Sequence, residues 1–326
     1  MKKVLIIFGG NSSEHYISCK SCKSIIENID DKQFKYEVVG ISFDGMWYKF
    51  NDDLSYLETG KWLDSNVLLV DNIVSYLKSF DVVFPITHGN NGEDGKLQGF
   101  LDLFNIKYVG CDTYSSVVGF DKSLSKLFFA SLDIPQVPYI VINEDYKITE
   151  IINKLGFPVI VKPARGGSSI GISKANNKKE LIKAIKMAKR YDEKLVIEKF
   201  IKARELECAI LASKYLLCSK LGEIKSSNEF YDYDAKYINK SECFICDDLP
   251  TNVTDKITEY VSKVFIELNC KSFARIDFFY DEISGNIYIN EINTIPGFTP
   301  ISMYPVLMKD ENISYKELIT TLINNV

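Results

Sequence analysis

Residues 273–280, FARIDFFY, and 286–293, NIYINEIN, are two strand-length runs joined through the link DEISGN at 281–286. The Gly and Asn of that link are what a hairpin turn requires. Side chains alternate along a strand, so Arg275 and Asp277 share one face, and Glu291 and Asn293 share one face of the second run. Pairing around the turn sets Asp277 nearly opposite Glu291. Three oxygen donors then converge from two rigid strands. That is a site for a hard cation, and Mg²⁺ held partly by substrate phosphates fits it. The alternative is a pair of solvent-facing carboxylates on an exposed sheet. Against it, the same alternation adds Phe273, Phe279, Ile287 and Ile289 to an apolar face, where a carboxylate needs partners.

Around this hairpin, the chain from about residue 201 onward is mostly strands, LECAILA and YLLCSKLGEI among them, with helices at KITEYVSKVFIEL and YKELITTLI. The stretch 111–200 is mixed. DKSLSKLFFASL and KKELIKAIKMAKRYD carry apolar residues at helical spacing, while FPVIVKPA and KLVIEKFI read as strands. In the first 110 residues strands alternate with helices: KKVLIIFGG, VVGISF and DVVFPIT read as strands, SCKSCKSIIENI and KLQGFLDLF as helices. Such alternation predicts a parallel α/β sheet. The predicted class is α/β combined with α+β, in units 1–110, 111–201 and 202–326.

The 326 residues are 46% hydrophobic, 25% charged and 13% aromatic, which suits a globular chain with a sizeable core. Net charge is −5, and Lys/Arg clusters such as Lys178-Lys179 are interrupted at helical spacing, so neither a nucleic-acid nor a membrane patch is expected. The apolar run after Lys2-Lys3 ends at Gly9-Gly10, too short for a signal peptide. No stretch approaches a membrane span. A cytoplasmic location is expected. Two cysteine pairs, Cys19/Cys22 and Cys243/Cys246, have CxxC spacing. A zinc site is the sharp reading. Strand alternation sends Cys243 and Cys246 to opposite faces, so free thiols are the expectation.

Three loops carry chemistry. Arg165-Gly-Gly-Ser-Ser-Ile-Gly171 lies between two predicted strands, and its glycines and serines suit a hairpin flap over phosphates, with Lys162 just before it as a point charge. It lacks the Gly-Lys-Ser/Thr ending of a P-loop. Gly9-Gly-Asn-Ser-Ser-Glu-His15 follows the first strand and is not a Gly-x-Gly-x-x-Gly dinucleotide motif. His88-Gly-Asn-Asn-Gly-Glu-Asp-Gly95 follows DVVFPIT. Open α/β sheets bind ligands beyond the strand C-termini, so these two loops are placed to share one site containing Glu14 and His88. Both histidines of the chain fall in them, which points towards function.

Taken in order, GGNSSEH, HGNNGEDGKLQG, KPARGGSSIG, EFYDYDAKY and RIDFF…NEINTIPGFTPIS resemble the D-alanine–D-alanine ligase family of the ATP-grasp superfamily, from about residue 4 to 305. The resemblance implies the ATP-grasp fold: a Rossmann-like N-terminal domain, with ATP clamped between central and C-terminal domains. It implies ATP-dependent ligation of two D-alanines through an acyl phosphate, for peptidoglycan precursors. Lys122, Lys162, Ser168, Ser169, Glu198, Glu205 and Lys236 look like nucleotide contacts. Asp277, Glu291 and Asn293 match the ligands of two Mg²⁺ ions, for which Mn²⁺ can substitute; a monovalent cation is a further candidate. Glu14 matches the residue that binds the first ammonium, with His88 nearby, and Ser168 and Tyr237 link with it. Arg275 and the Gly297 N–H match the oxyanion donors, and Ser302 and Met303 the site for the second carboxylate. Asn228–Ile238 resembles the family's closing loop. A homodimer formed through the first domain is also implied. Lys162-Pro-Ala-Arg165 occurs in resistance-type relatives too, so D-alanine–D-serine or D-alanine–D-lactate ligation is the alternative. Tyr237 and Ser302-Met303 resemble the D-alanine type. Ala203 stands where the family pattern has glycine.

Overall fold

The computed structural model describes residues 1–225 and 242–326. Its first sheet contains β1 (Lys2–Gly9), β2 (Phe34–Ile41), β3 (Trp47–Phe50), β4 (Leu68–Leu69) and β5 (Val82–Pro85), in the order β4-β3-β2-β1-β5. Helices α1 (His15–Asn28), α2 (Ser55–Thr59), α3 (Ile73–Leu77) and α4 (Lys96–Leu103) belong to the same segment. Val4 to Phe8 are fully buried because β1 is covered on both faces. Val4, Ile6 and Phe8 enter one core and Leu5 and Ile7 another, which is why the run is apolar throughout.

The expected parallel sheet is only partly parallel. β1 pairs in parallel with β2 and β5, but β3 and β4 add an antiparallel edge. The chain returns from β2 through a tight turn, in which Ser42 N–H donates to Met46 O over 2.9 Å and Gly45 has φ 83°. So short a link makes a hairpin, since a parallel return needs a long crossover. Asp44-Gly45 was the signal for it.

After α5 (Thr113–Phe120) and α6 (Lys122–Ser131) comes an antiparallel sheet of β6 (Tyr139–Ile142), β7 (Val159–Pro163), β8 (Ser173–Ala175) and β9 (Leu195–Lys199), in the order β6-β9-β7-β8. The carboxylate of Asp121 caps α6 by accepting from Ser123 N–H over 2.9 Å. Helices α7 (Ile148–Leu155) and α8 (Lys178–Ala188) cover one face through Ile151, Leu155, Leu181 and Ile185.

The third sheet is antiparallel and contains β10 (Arg204–Ala212), β11 (Leu216–Lys225), β12 (Glu242–Ile245), β13 (Phe273–Asp281) and β14 (Asn286–Asn293), ordered β12-β11-β10-β13-β14. Val253, Ile257, Val261 and Phe265 of α9 (Thr251–Glu267) fill one face. The last helices, α10 (Met303–Asp310) and α11 (Tyr315–Asn324), reach back to the first sheet. Tyr304, Leu307 and Leu318 share a core with Val4, Phe8 and Phe84. Thus residues from the two ends of the chain close the core on one face of β1.

Cys19 and Cys22 project from α1 into that core. Burial pushes the Cys19 thiol up to about 12 and Cys22 well above its ordinary value, so both are inert thiols. Cys246 is a free thiol 3.8 Å from Arg204 Nη2, and the Cys243 side chain lies outside the described residues.

Candidate active site

Three neighbouring strands build the floor. In the antiparallel register Glu207, Asp277 and Glu291 stand in one row, and Ala209, Arg275 and Asn293 in the next. The Asp277–Glu291 pairing anticipated from the turn is therefore realised. Directly opposed residues share a face. On that face Arg275 Nε and Nη2 each donate to Asp277 over 2.8 Å, Arg275 Nε also lies 2.8 Å from Glu207 Oε2, and Asn293 Nδ2 donates to Asp277 Oδ2 over 2.9 Å. Burial disfavours the Arg275 cation, but Asp277 and Glu207 outweigh it and hold the guanidinium charged.

The apolar face expected around these carboxylates is corrected by a β-bulge. Pairing slips between Asp277 and Phe278, so that Asn290 is extra, Phe278 meets Ile289 and Tyr280 meets Ile287. Ile287 and Ile289 consequently turn to the opposite face, into the core under α9. A bulge re-aims every side chain beyond it. Here it also brings Asn290 Oδ1 to 3.3 Å from Lys162 Nζ.

The flap is the hairpin of β7 and β8, paired from Val159↔Ala175 to Val161↔Ser173. Ser168 and Ser169 sit in its tip with φ of 51° and 56°, a left-handed conformation uncommon for serine. Arg165 anchors the base, its backbone N–H and Nε donating to Asp192 Oδ2 over 2.8 and 3.1 Å and its Nη2 to Oδ1 over 2.6 Å. From the tip, Ser168 Oγ donates to Glu14 Oε1 over 2.5 Å, joining the flap to the loop after β1. Lys122 Nζ donates to Gly166 O over 2.8 Å and lies 3.6 Å from Glu291.

The two histidines diverge. His15 accepts from Trp62 Nε1 at Nε2 over 2.9 Å, so its Nδ1 carries the proton towards Gly10 O at 2.7 Å. It is a packed structural ring stacked on Phe43. His88 instead lines a cavity of about 480 Å³ together with Glu14, Glu93, Arg275, Asn293, Gly297, Ser302 and Met303. Burial pushes the His88 pKa down, favouring the neutral ring. Its Nδ1 lies 3.0 Å from Ile295 O, which can only accept, so Nε2 accepts from Ser21 Oγ at 3.1 Å.

Two smaller cavities adjoin this chamber. One, of about 90 Å³, is bounded by Lys122, Lys162, Ser168, Ser169, Asp277 and Glu291. The other, of about 110 Å³, lies between Val137, Ile160, Phe200 and Phe279, with Lys162, Glu198 and Glu205 at its edge. Adjacent members share Lys162 and Glu205, or Lys122 and Glu291, so they form one row. An apolar slot, a lysine-rich neck under a Gly/Ser flap, and a charged chamber suit a planar base, its phosphates and a small zwitterion in that order. Glu198 lies 2.6 Å from both Lys126 and Lys162. Burial pushes its carboxyl up, but the two ammonium groups prevail and hold it down at about 2.

Among the described residues, no group of three or more His, Cys, Asp or Glu side chains gathers as a metal cluster. The expected magnesium set is two carboxylates and an amide, hard oxygen donors suited to a cation shared with phosphates. Lys236, Tyr237 and the Asn228–Ile238 loop lie outside the described residues. Sequence reading passed over four side chains. Glu207 follows Glu205 at strand period and Lys126 follows Lys122 at helical period, so both were recoverable. Glu93 sits in a loop already singled out. Burial and then Glu14 push its carboxyl up to about 8. Asn290 had no local signal, because the bulge aims it.

The chain matches the family models described as D-ala D-ala ligase N-terminus over residues 3–111 and D-ala D-ala ligase C-terminus over residues 128–324. It is 43% identical to the D-alanine–D-alanine ligase of Acetivibrio thermocellus, covering 99% of this chain and 95% of that one. Among solved structures it resembles the VanG D-Ala:D-Ser ligase from Enterococcus faecalis, with a TM-score of 0.89, 34% identity and coverage of 99% and 98%. It also resembles the D-alanine–D-alanine ligase from Coxiella burnetii, with a TM-score of 0.85, 30% identity and coverage of 100% and 95%.

Proposed function

Because the chain belongs to the D-alanine–D-alanine ligase family, we propose that it joins two D-alanines with ATP, releasing ADP and phosphate, to supply D-alanyl-D-alanine for peptidoglycan precursors. The Glu14–Ser168 contact carries this reading, since it ties the flap over the nucleotide row to the wall of the zwitterion chamber.

The first D-alanine places its ammonium at Glu14. A carboxylate oxygen attacks the γ-phosphorus, the bond to the ADP oxygen breaks, and an acyl phosphate forms. The second D-alanine is held by its carboxylate at Ser302 and the Met303 backbone. Its amine attacks the acyl carbon, a C–N bond forms, the C–O bond to the phosphate breaks, and the departing phosphate takes up the proton shed by the nitrogen. Arg275, held charged by Asp277 and Glu207, and the Gly297 N–H stabilise the oxyanion. Lys122, Lys162 and Lys236, with Ser168 and Ser169, hold the phosphates. Glu198 and Glu205 serve the nucleotide end, Glu198 anchoring Lys162 at 2.6 Å. Ser168 and Tyr237 link with Glu14, and His88 borders the first substrate. The reacting carbonyl must be kept dry, because an acyl phosphate hydrolyses.

Family membership brings ATP and a divalent metal. Asp277, Glu291 and Asn293 fit two Mg²⁺, with Mn²⁺ able to substitute, and bound metal supplies charge neutralisation at the phosphates. A monovalent cation, a homodimer formed through the first domain and a cytoplasmic location complete the reading. Among the described residues no helix is long and apolar enough to cross a membrane. The units 1–110, 111–201 and 202–326 each hold one of the three sheets.

A second reading, D-alanine–D-serine or D-alanine–D-lactate ligation, is favoured by Lys162-Pro-Ala-Arg165 and by the likeness to the VanG enzyme. The test is product identification by mass. Purified protein is given ATP, Mg²⁺ and D-alanine, alone and with D-serine or D-lactate, beside an L-alanine control. D-Ala-D-Ala as dominant product, lost in Glu291→Ala, is expected. A dominant mixed product selects the second reading, and no D-alanine-dependent product overturns both.

A further inference from the structure

Strand pairing in β14 ends at Asn293, opposite Arg275. Beyond it the backbone of Thr294–Gly297 is no longer fixed by a ladder, although Thr294 and Ile295 are buried. Both backbone groups of Ile295 are instead held from the loop after β5. His88 Nδ1 donates to Ile295 O over 3.0 Å, and Ile295 N–H donates to Glu93 Oε1 over 3.2 Å. The other Glu93 oxygen accepts from Gly89 N–H over 2.7 Å, and Ser21 steadies the far side of His88 at 3.1 Å. His88 and Ile295 are 207 positions apart, so this contact joins the two halves of the chamber wall.

We propose that Glu93 is a positioning residue for the ligation: with His88 it brackets Ile295, and so sets where the Gly297 N–H stands relative to the reacting carbonyl. The inference rests on the ligase reading above. Glu93 fits the task because each of its two oxygens accepts, one from each loop, and in the neutral acid the hydroxyl oxygen still keeps a lone pair for its N–H. A glutamine of the same shape offers one carbonyl acceptor and turns an NH₂ towards the other N–H, leaving a buried donor facing a donor.

The test compares wild type with Glu93→Gln and Glu93→Asp in steady-state ligation, with ATP affinity by calorimetry and thermal melting as controls. A misplacement of this kind costs about 10²-fold in rate. The expected result is a kcat for Glu93→Gln lower by about that factor, with ATP affinity little changed and the melting temperature lowered by no more than a few degrees. Glu93→Asp, which keeps both acceptors on a shorter arm, recovers part of the rate. An unchanged kcat in Glu93→Gln overturns the positioning role while leaving the ligase reading intact. So does a kcat loss that merely parallels loss of ATP binding and stability in both variants. Wild type lacking D-alanine-dependent ADP release overturns the ligase reading itself, and this inference with it.

Discussion

At Gly167 an added Cβ would lie 2.4 Å from Glu14 Oε2. Something must shift, and the Glu14 carboxylate is the end of a flexible arm, so Gly167→Ala acts on the site rather than on the fold. A displaced Glu14 loses its bond from Ser168 and, on the proposed function, its aim at the substrate ammonium, and charged hydrogen bonds are worth about 1.5–3 kcal/mol. The expected outcome is a KM for D-alanine raised roughly tenfold or more, with an unchanged melting temperature; steady-state kinetics beside thermal melting checks it. The pairing of Asp277 with Glu291 was legible in the sequence because alternation is a local property. The ring partners of His15 and His88 were not. The two residues look alike in their loops, and only packing against Trp62 in one case and Ile295 in the other separates them.

Among the elements, the β7–β8 flap turns on the three hydrogen bonds from Arg165 to Asp192. Asp192 is buried, and the Arg165 guanidinium beside it, together with backbone N–H groups, outweighs burial to keep its carboxyl below the usual range. Asp192→Ala leaves the base of the flap untethered. Faster hydrogen exchange across 165–171 and a KM for ATP raised roughly tenfold are expected; exchange unchanged from wild type would count against the anchor. The flap itself was readable from its Gly/Ser run between two strands. The bulge at Asn290 was not, since it is a property of how β14 meets β13 and leaves no composition mark.

For the whole molecule, the last two helices are as much part of the first sheet's core as of the third's. Leu318 is fully buried in that shared core. Leu318→Ala should cost about 2–5 kcal/mol, read as a lower urea midpoint, and the loss should appear in probes of both the first and third sheets. Acid stability is a second global property. Glu198 is held at about 2 against an ordinary 4.5, so unfolding restores a weaker acid. The stability it contributes is present above pH 4.5 and is lost as pH falls towards about 2. Its size is on the order of 3 kcal/mol. Glu198→Gln should therefore be less stable than wild type at pH 7, and the difference should shrink through that window; a constant difference from pH 7 to 3 would contradict the assignment.

The sequence by itself determined the strand face that carries Arg275, Asp277, Glu291 and Asn293, the hairpin flap, and the two loops that bring in Glu14 and His88. All of these follow from strand period, glycine-permitted turns and strand-end placement, which act over a few residues. Tertiary structure alone decided the antiparallel edge of the first sheet, the slip at Asn290, the Glu207–Arg275 pair and the bracket on Ile295. Each of these depends on which distant backbone group or side chain arrives at a given point. Contacts such as His88 to Ile295, 207 positions apart, are set by the packing of whole sheets and helices, for which no local spacing is a substitute.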